Sequence, residues 1–231
     1  IDGLINCKNL NTLDLSGCSS LQNIDGLINC KNLNTLDLSY CNSLQNIDGL
    51  INCKNLTSFE INSCKSLINL DFFPKGNSIS NIDLSGCINL TDISGLSGSK
   101  SLSSISIKGE FLELPVGFDK IDNLELLDIS YSTLITKLDS LSNCKKLATL
   151  NLQFCTSIQN VNGLNTCNNL LRLNLNECKS LHDIKGLVGL NNLEYLKLSK
   201  CKNVKPKPSP VIMDNKEKVE KFQKRIKNLK K

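Results

Sequence analysis

The sequence predicts an α/β repeat fold: a stack of short parallel strands joined by tight, partly helical returns and finished by a C-terminal helix. Three observations predict it. The stretch IDGLINCKNLNTLDLS opens the chain at Ile1, returns letter for letter at Ile24, and its first ten residues come back at Ile47. Pairs of apolar residues one residue apart recur with a steady period almost to the end of the chain. From residue 202 onward that period stops, and a Pro-rich break leads into helical spacing.

The strands come first. The apolar pairs fall at Leu13/Leu15, Leu36/Leu38, Phe59/Ile61, Ile82/Leu84, Ile105/Ile107, Leu127/Ile129, Leu150/Leu152, Leu173/Leu175 and Leu196/Leu198. The step is 23 residues throughout except for 22 between the fifth and sixth, giving nine copies. In each pair both apolar side chains point one way, while Thr12, Asp14 and Ser16 of the first copy point the other; that alternation is a short strand. Leu21, Ile24 and Leu27 follow at three-residue steps, which suits a 3₁₀-like return, and Gly26 is expected to permit a sharp bend. A single coil cannot bury its own apolar side. Stacked coils can, with strands pairing in parallel roughly 4.8 Å apart.

The unit LxxLxLSxCxxLxxIxGLxxC, as written from Leu10 to Cys30, resembles the leucine-rich repeat family over residues 1–203. Its LDLSGC wording is similar to repeats of trypanosomatid and plant disease-resistance proteins and to the short-return class of bacterial and eukaryotic scaffolds. The resemblance implies a leucine-rich-repeat solenoid with a parallel β-sheet on the concave face and short 3₁₀ turns on the convex face. It also implies a non-catalytic scaffold for protein–protein interaction. The alternative is a recognition or sensor module of a larger receptor or host-directed effector, and Ile1 does begin inside a repeat. Many such repeats carry Asn after the strand, where this chain carries Cys.

The twelve cysteines keep to two slots of the repeat. Cys18, Cys41, Cys64, Cys87, Cys155, Cys178 and Cys201 lie three residues after the second apolar strand position; Cys7, Cys30, Cys53, Cys144 and Cys167 lie six before the first. Such confinement predicts buried structural thiols rather than disulfides, whose Cβ vectors would have to converge. With no CxxC or CxxH pair, no metal and no cofactor are expected. Reduced thiols in this number favour a cytoplasmic setting, with a cell-surface location as the other possibility.

Catalysis finds little support. The single histidine, His182, falls in a return loop, and no phosphate-binding, dinucleotide, zinc-protease or nucleophile-elbow motif is present. The Asp residues at Asp2, Asp25 and Asp48 are copies in like environments, which a paired acid and base cannot be. Specificity must come from positions the duplication has let vary. On the outward strand side the middle column runs Asp14, Asp37, Glu60, Asp83, Ser106, Asp128, Asn151, Asn174, Lys197. The column before it ends in Arg172 and Tyr195, and a third, two residues past the last inward apolar residue, holds Tyr40, Tyr131 and Phe154. Aromatic and arginine side chains carry most interface energy. Asp14, Asp37, Tyr40, Glu60, Asp83, Asp128, Tyr131, Phe154, Arg172, Tyr195 and Lys197 are therefore the expected partner-binding residues, all placed on the concave face.

One copy is irregular. KGEFLELPVGFDKIDNL, residues 108–124, is a residue short, has no Cys and contains Pro115; Phe111, Leu114 and Phe118 are expected to keep its core filled. Beyond the repeats, residues 204–213 read as a Pro-rich linker and 214–231 as a basic amphipathic helix. Asp214 with Glu217 forms a capping-box-like start, and Val219, Phe222, Ile226 and Leu229 form an apolar stripe. That helix is expected to cap the last coil. Residues 202–231 carry eleven Lys or Arg against three Asp or Glu, whereas residues 1–201 carry sixteen against nineteen. The chain's net charge of +5 therefore belongs to the tail, which leaves the tail able to contact an acidic surface. For the body a protein partner is expected, not nucleic acid or membrane.

Overall fold

One strand forms in each repeat, where the apolar pairs predict it. The computed structural model of the chain describes residues 1–142 and 144–229. Two compact units emerge: Ile1–Ile107 with Pro115–Leu124, and Lys108–Leu114 with Glu125–Lys231. The division runs through the irregular copy. Phe111 and Phe118 are fully buried there and Leu114 nearly so, as the filling of its core requires.

In the first unit the strands are β1 (Thr12–Asp14), β2 (Thr35–Asp37), β3 (Ser58–Glu60), β4 (Asn81–Asp83) and β5 (Ser104–Ser106). β1, β2 and β3 pair in parallel with like residues opposite one another, Leu13↔Leu36↔Phe59 and Asp14↔Asp37↔Glu60. β4 and β5 pair in the same manner, Ile82 against Ile105. Leu36, Phe59, Ile82 and Ile105 are all buried, which fixes the register, since a slip of one residue would turn every apolar side chain outward. The return path makes 3₁₀ turns at Asp25–Leu27, Asp48–Leu50 and Ser94–Leu96.

The glycine of those turns serves a different purpose from the one expected. Gly26 and Gly49 do not use left-handed dihedrals; a Cβ on either would stand 2.3 and 2.0 Å from the carbonyl oxygens of Ile1 and Ile24 in the preceding coil. Close approach of coil to coil requires glycine, not a bend. Between β3 and β4 Phe72 occupies that slot, and no 3₁₀ turn forms there. Phe72 is left 42% exposed, while Phe73 beside it turns inward to pack on Phe59, centroids 5.8 Å apart.

The second unit contains β6 (Leu126–Asp128), β7 (Thr149–Asn151), β8 (Arg172–Asn174) and β9 (Tyr195–Lys197), paired in parallel as Leu127↔Leu150↔Leu173↔Leu196. The segment expected to be only a linker contributes β10 (Ile212–Met213), which pairs antiparallel with β9. Val204 and Met213 are fully buried. Helix α1 (Lys216–Asn228) then folds over the last coil. Val219, Phe222 and Ile226 are buried as the stripe predicts, but Leu229 lies past the helix and is 58% exposed. The N-cap is Asn215, whose Oδ1 accepts the Lys218 N–H at 3.0 Å; Asp214 instead pairs with the Lys218 ammonium. Among the described residues no helix is long and apolar enough to cross a membrane.

The thiols form a ladder between coils. In the first slot Cys41, Cys64 and Cys87 donate to the carbonyls of Leu15, Leu38 and Ile61 at 3.1–3.2 Å, always 26 residues back. Cys155, Cys178 and Cys201 do the same to Ile129, Leu152 and Leu175. In the second slot Cys30, Cys53 and Cys167 reach Leu4, Leu27 and Leu141 at 3.4–3.7 Å. No disulfide is present among the described residues. Cys7 is only half-buried and Cys18 exposed, unlike the rest. Asn side chains form two further ladders, unforeseen in the sequence. In the turn before the strands Asn32 and Asn55 donate to the carbonyls of Lys8 and Lys31, and Asn169 and Asn192 to those of Lys145 and Asn168. In the turn after the strands Asn89 donates to the Lys65 carbonyl and Asn203 to that of Lys179.

Candidate protein-interaction surface

The outward side of each three-residue strand presents two positions, and the duplication has varied both. In the first unit the later position holds Asp14, Asp37, Glu60 and Asp83. Three of them have a structural task that the sequence did not reveal: Asp14, Asp37 and Asp83 accept the backbone N–H two residues on, from Ser16, Ser39 and Ser85, at 2.8–2.9 Å. This closes the turn that ends the strand. Side-chain and backbone hydrogen bonds from Ser16 hold the Asp14 carboxyl below the usual carboxylate range. Because only an acceptor oxygen is needed, Asn151 and Asn174 serve in the second unit, accepting from Gln153 and Asn176.

Glu60 is different. It stands between Asp37 and Asp83; desolvation, then the charges of those two neighbours, push its pKa up. Among the described residues, no cation lies within ion-pair distance of Asp14, Asp37, Glu60 or Asp83. Like charges one strand spacing apart repel, so this face carries unrelieved negative charge.

In the second unit Asp128 is neutralised. Burial alone would raise its pKa, but the Lys108 ammonium at 2.9 Å and the hydroxyl and N–H of Ser130 outweigh it and hold the carboxyl low. Arg172 and Tyr195, opposite one another at the starts of β8 and β9, meet directly, with the guanidinium 4.6 Å from the ring centroid. Lys197 lies opposite Asn174.

Tyr40, Tyr131 and Phe154 are not on the strand face proper. The strands are only three residues long, so these positions already lie in the turn leaving them, at φ of 64°, 66° and 62°. They form a rim to the face. Gly17 and Gly86 take the same place in other coils, at 73° and 78°, and glycine suits left-handed backbone far better than an aromatic residue does. Tyr131 and Phe154, one coil apart, stack with centroids 4.9 Å apart and planes at 17°. Tyr40 has Gly17 and Ser63 as its counterparts in the adjoining coils and is 57% exposed. Glu177 and Lys200 continue the rim as a mutual ion pair. His182 is exposed, with Nδ1 at 3.0 Å from the Ser180 carbonyl oxygen.

No protein-family model matches the chain and no curated protein matches its sequence. Solved structures do match. The leucine-rich repeat domain of the type III effector XopL is 21% identical with a TM-score of 0.57, covering 87% of this chain and 72% of that one. TLR13, solved in complex with ssRNA13, is 22% identical with a TM-score of 0.56 over 83% of this chain and 33% of its own. Internalin C2 of Listeria monocytogenes aligns at 22% identity and a TM-score of 0.48, over 82% and 81% of the two chains. The XopL and TLR13 superpositions show a shared fold.

Proposed function

Starting from a chain of the leucine-rich-repeat fold, we propose a non-catalytic scaffold that captures a protein partner on its strand faces and their rim. One observation carries the reading. In a sequence copied freely elsewhere, the outward strand positions and the turn after them differ from coil to coil in each unit, and Tyr40, Tyr131 and Phe154 accept left-handed backbone there. Backbone strain retained at a variable surface points to a use for the side chain. The first unit's face, with its four uncompensated carboxylates, suits a basic segment. The XopL domain comes from an effector and TLR13 was solved with RNA, so a module of a larger receptor or effector is the second reading.

A reducing compartment belongs to the same proposal. The buried thiols are committed to inter-coil hydrogen bonds, and so are the Asn residues of both Asn-x-Thr sequons. Asn55 donates to the Lys31 carbonyl and Asn89 to that of Lys65, bonds that a glycan on either amide would disrupt.

Changing Asp37, Glu60 and Asp83 together to Asn tests the charged face, since Asn keeps the turn-closing acceptor. With partners captured by in-cell crosslinking and then purified, association of a basic partner slows several-fold at low salt and its salt dependence flattens, while the melting temperature holds. Unchanged association, together with loss of binding on altering the turn of Asn32 and Asn55, would place the interface elsewhere.

A further inference from the structure

The second unit's face is built for a different ligand chemistry from the first. We propose that it binds an extended, acidic polypeptide segment, with carboxylates received by Arg172 and Lys197 and a planar side chain seated against Tyr131. This deepens the scaffold reading and rests on it.

Charge balance supplies the first argument. The face and rim of this unit hold four cations, of which Lys108 is matched by Asp128 and Lys200 by Glu177. Arg172 and Lys197 have no carboxylate within ion-pair distance among the described residues. They lie on neighbouring paired strands, at opposite ends of the outward rows. Arg172 is also held in place: with its guanidinium 4.6 Å from the Tyr195 ring centroid, it loses less freedom when it receives a carboxylate.

The floor between them supplies the second. Asn174 Nδ2 donates to Asn151 Oδ1 at 3.0 Å and to Gln153 Oε1 at 3.1 Å, while Asn174 Oδ1 accepts the Asn176 N–H. Their mutual bonds fix these amides as a neutral polar bed, and they leave the Gln153 Nε2 hydrogens for carbonyl oxygens of a bound backbone. At the rim, Tyr131 is 57% exposed while stacked on Phe154. Three strand spacings separate the coil of Tyr131 from that of Tyr195, about 14 Å, which an extended chain crosses in roughly four or five residues. A nucleic acid strand fits less well. It brings one phosphate per nucleotide to a patch with two uncompensated cations that also holds Asp128 and Glu177.

Fluorescence polarisation with the full chain tests this. The probes are a pool of short peptides with Asp or Glu alternating about a fixed Trp, the same pool with Asn and Gln, and an oligouridylate. The acidic pool binds about tenfold more tightly than the amide pool at low salt, and the gap narrows at high salt. Arg172→Gln with Lys197→Gln removes the preference, and Tyr131→Gly weakens both pools while the melting temperature holds. Equal binding of the two pools, a preference that survives the double variant, or tighter binding of the RNA each overturns the proposal. If peptide preference is absent while crosslinked partners are still lost on altering the first unit's carboxylates, this inference falls and the scaffold stands. If the preference is present but no partner depends on either face, the scaffold reading falls alone.

Discussion

A tyrosine with left-handed backbone and a cysteine donating to a carbonyl are the two residue-scale facts from which the rest follows. Tyr40 has a φ of 64° at a slot where Gly17 and Gly86 stand in two other coils. Replacing it with Gly should leave stability within about 1 kcal/mol, since relieved strain offsets the freer unfolded chain. Tyr40→Val, β-branched at φ > 0, should cost about 1–2 kcal/mol or more, and chemical denaturation distinguishes the two. If both variants are equally stable, the rim carries no strain and loses its value as a functional signal. In the thiol slot the sixth copy has Ser132 in place of Cys, fully buried, so a hydroxyl is accommodated there. Cys64→Ser should therefore cost less than Cys64→Ala, for which about 1–2 kcal/mol is expected. Burial, ahead of neighbouring thiols and carboxylates, pushes Cys41, Cys53, Cys167 and Cys201 up to about 11 and Cys155 to about 12. A raised folded pKa means stability present in full below the unfolded value of 9.0 and lost as pH climbs through the folded one. The melting temperature should hold to about pH 9 and fall between about 9 and 11; a flat profile across that window contradicts the burial of these thiols. At neutral pH a thiol reagent should reach Cys18 first, Cys7 more slowly and the ten buried thiols only on unfolding.

Among the elements, the tail is the one whose role most exceeds what its sequence suggested. The stripe Val219, Phe222, Ile226 was readable from helical spacing, but Gln223, buried beside it, was not singled out by that spacing. It is the key contact: Nε2 donates to the carbonyls of Leu187 and Leu190 at 2.7 and 3.0 Å, satisfying the end of the last return. Gln223→Ala should cost about 1–3 kcal/mol by leaving those buried acceptors unmet. Deleting residues 205–231 removes β10 as well as α1, baring the β9 edge with Leu196 and Leu198. Circular dichroism should show a lower melting temperature and light scattering more aggregation. A truncated chain as stable and soluble as the whole would mean the helix is not a cap. β10 itself was invisible beforehand, because two residues are too few to show alternation and their pairing depends on where the Pro-rich segment turns.

At the scale of the molecule, the 23-residue period fixes strand positions, register and core, since each coil needs only a neighbour like itself. What the period could not show is what happens between coils. The steric demand on Gly26 and the thiol and Asn ladders are contacts across the stack, identical in sequence to mere repetition. The site was half legible. Sequence variation singled out Arg172, Tyr195, Tyr131 and Phe154, but their pairing into a cation–π contact and a stack required the register, and Asp128 proved to be an internal ion pair. The central claim is that copied residues build the fold while varied ones bind. It is tested most directly by returning the second unit's face to the first coil's residues: Leu126, Arg172 and Tyr195 to Thr, Tyr131 and Phe154 to Gly. Partner capture is then measured at matched fold stability. The account predicts a melting temperature within a few degrees of the parent and loss of the partners that depend on this unit; full capture by that variant would contradict it.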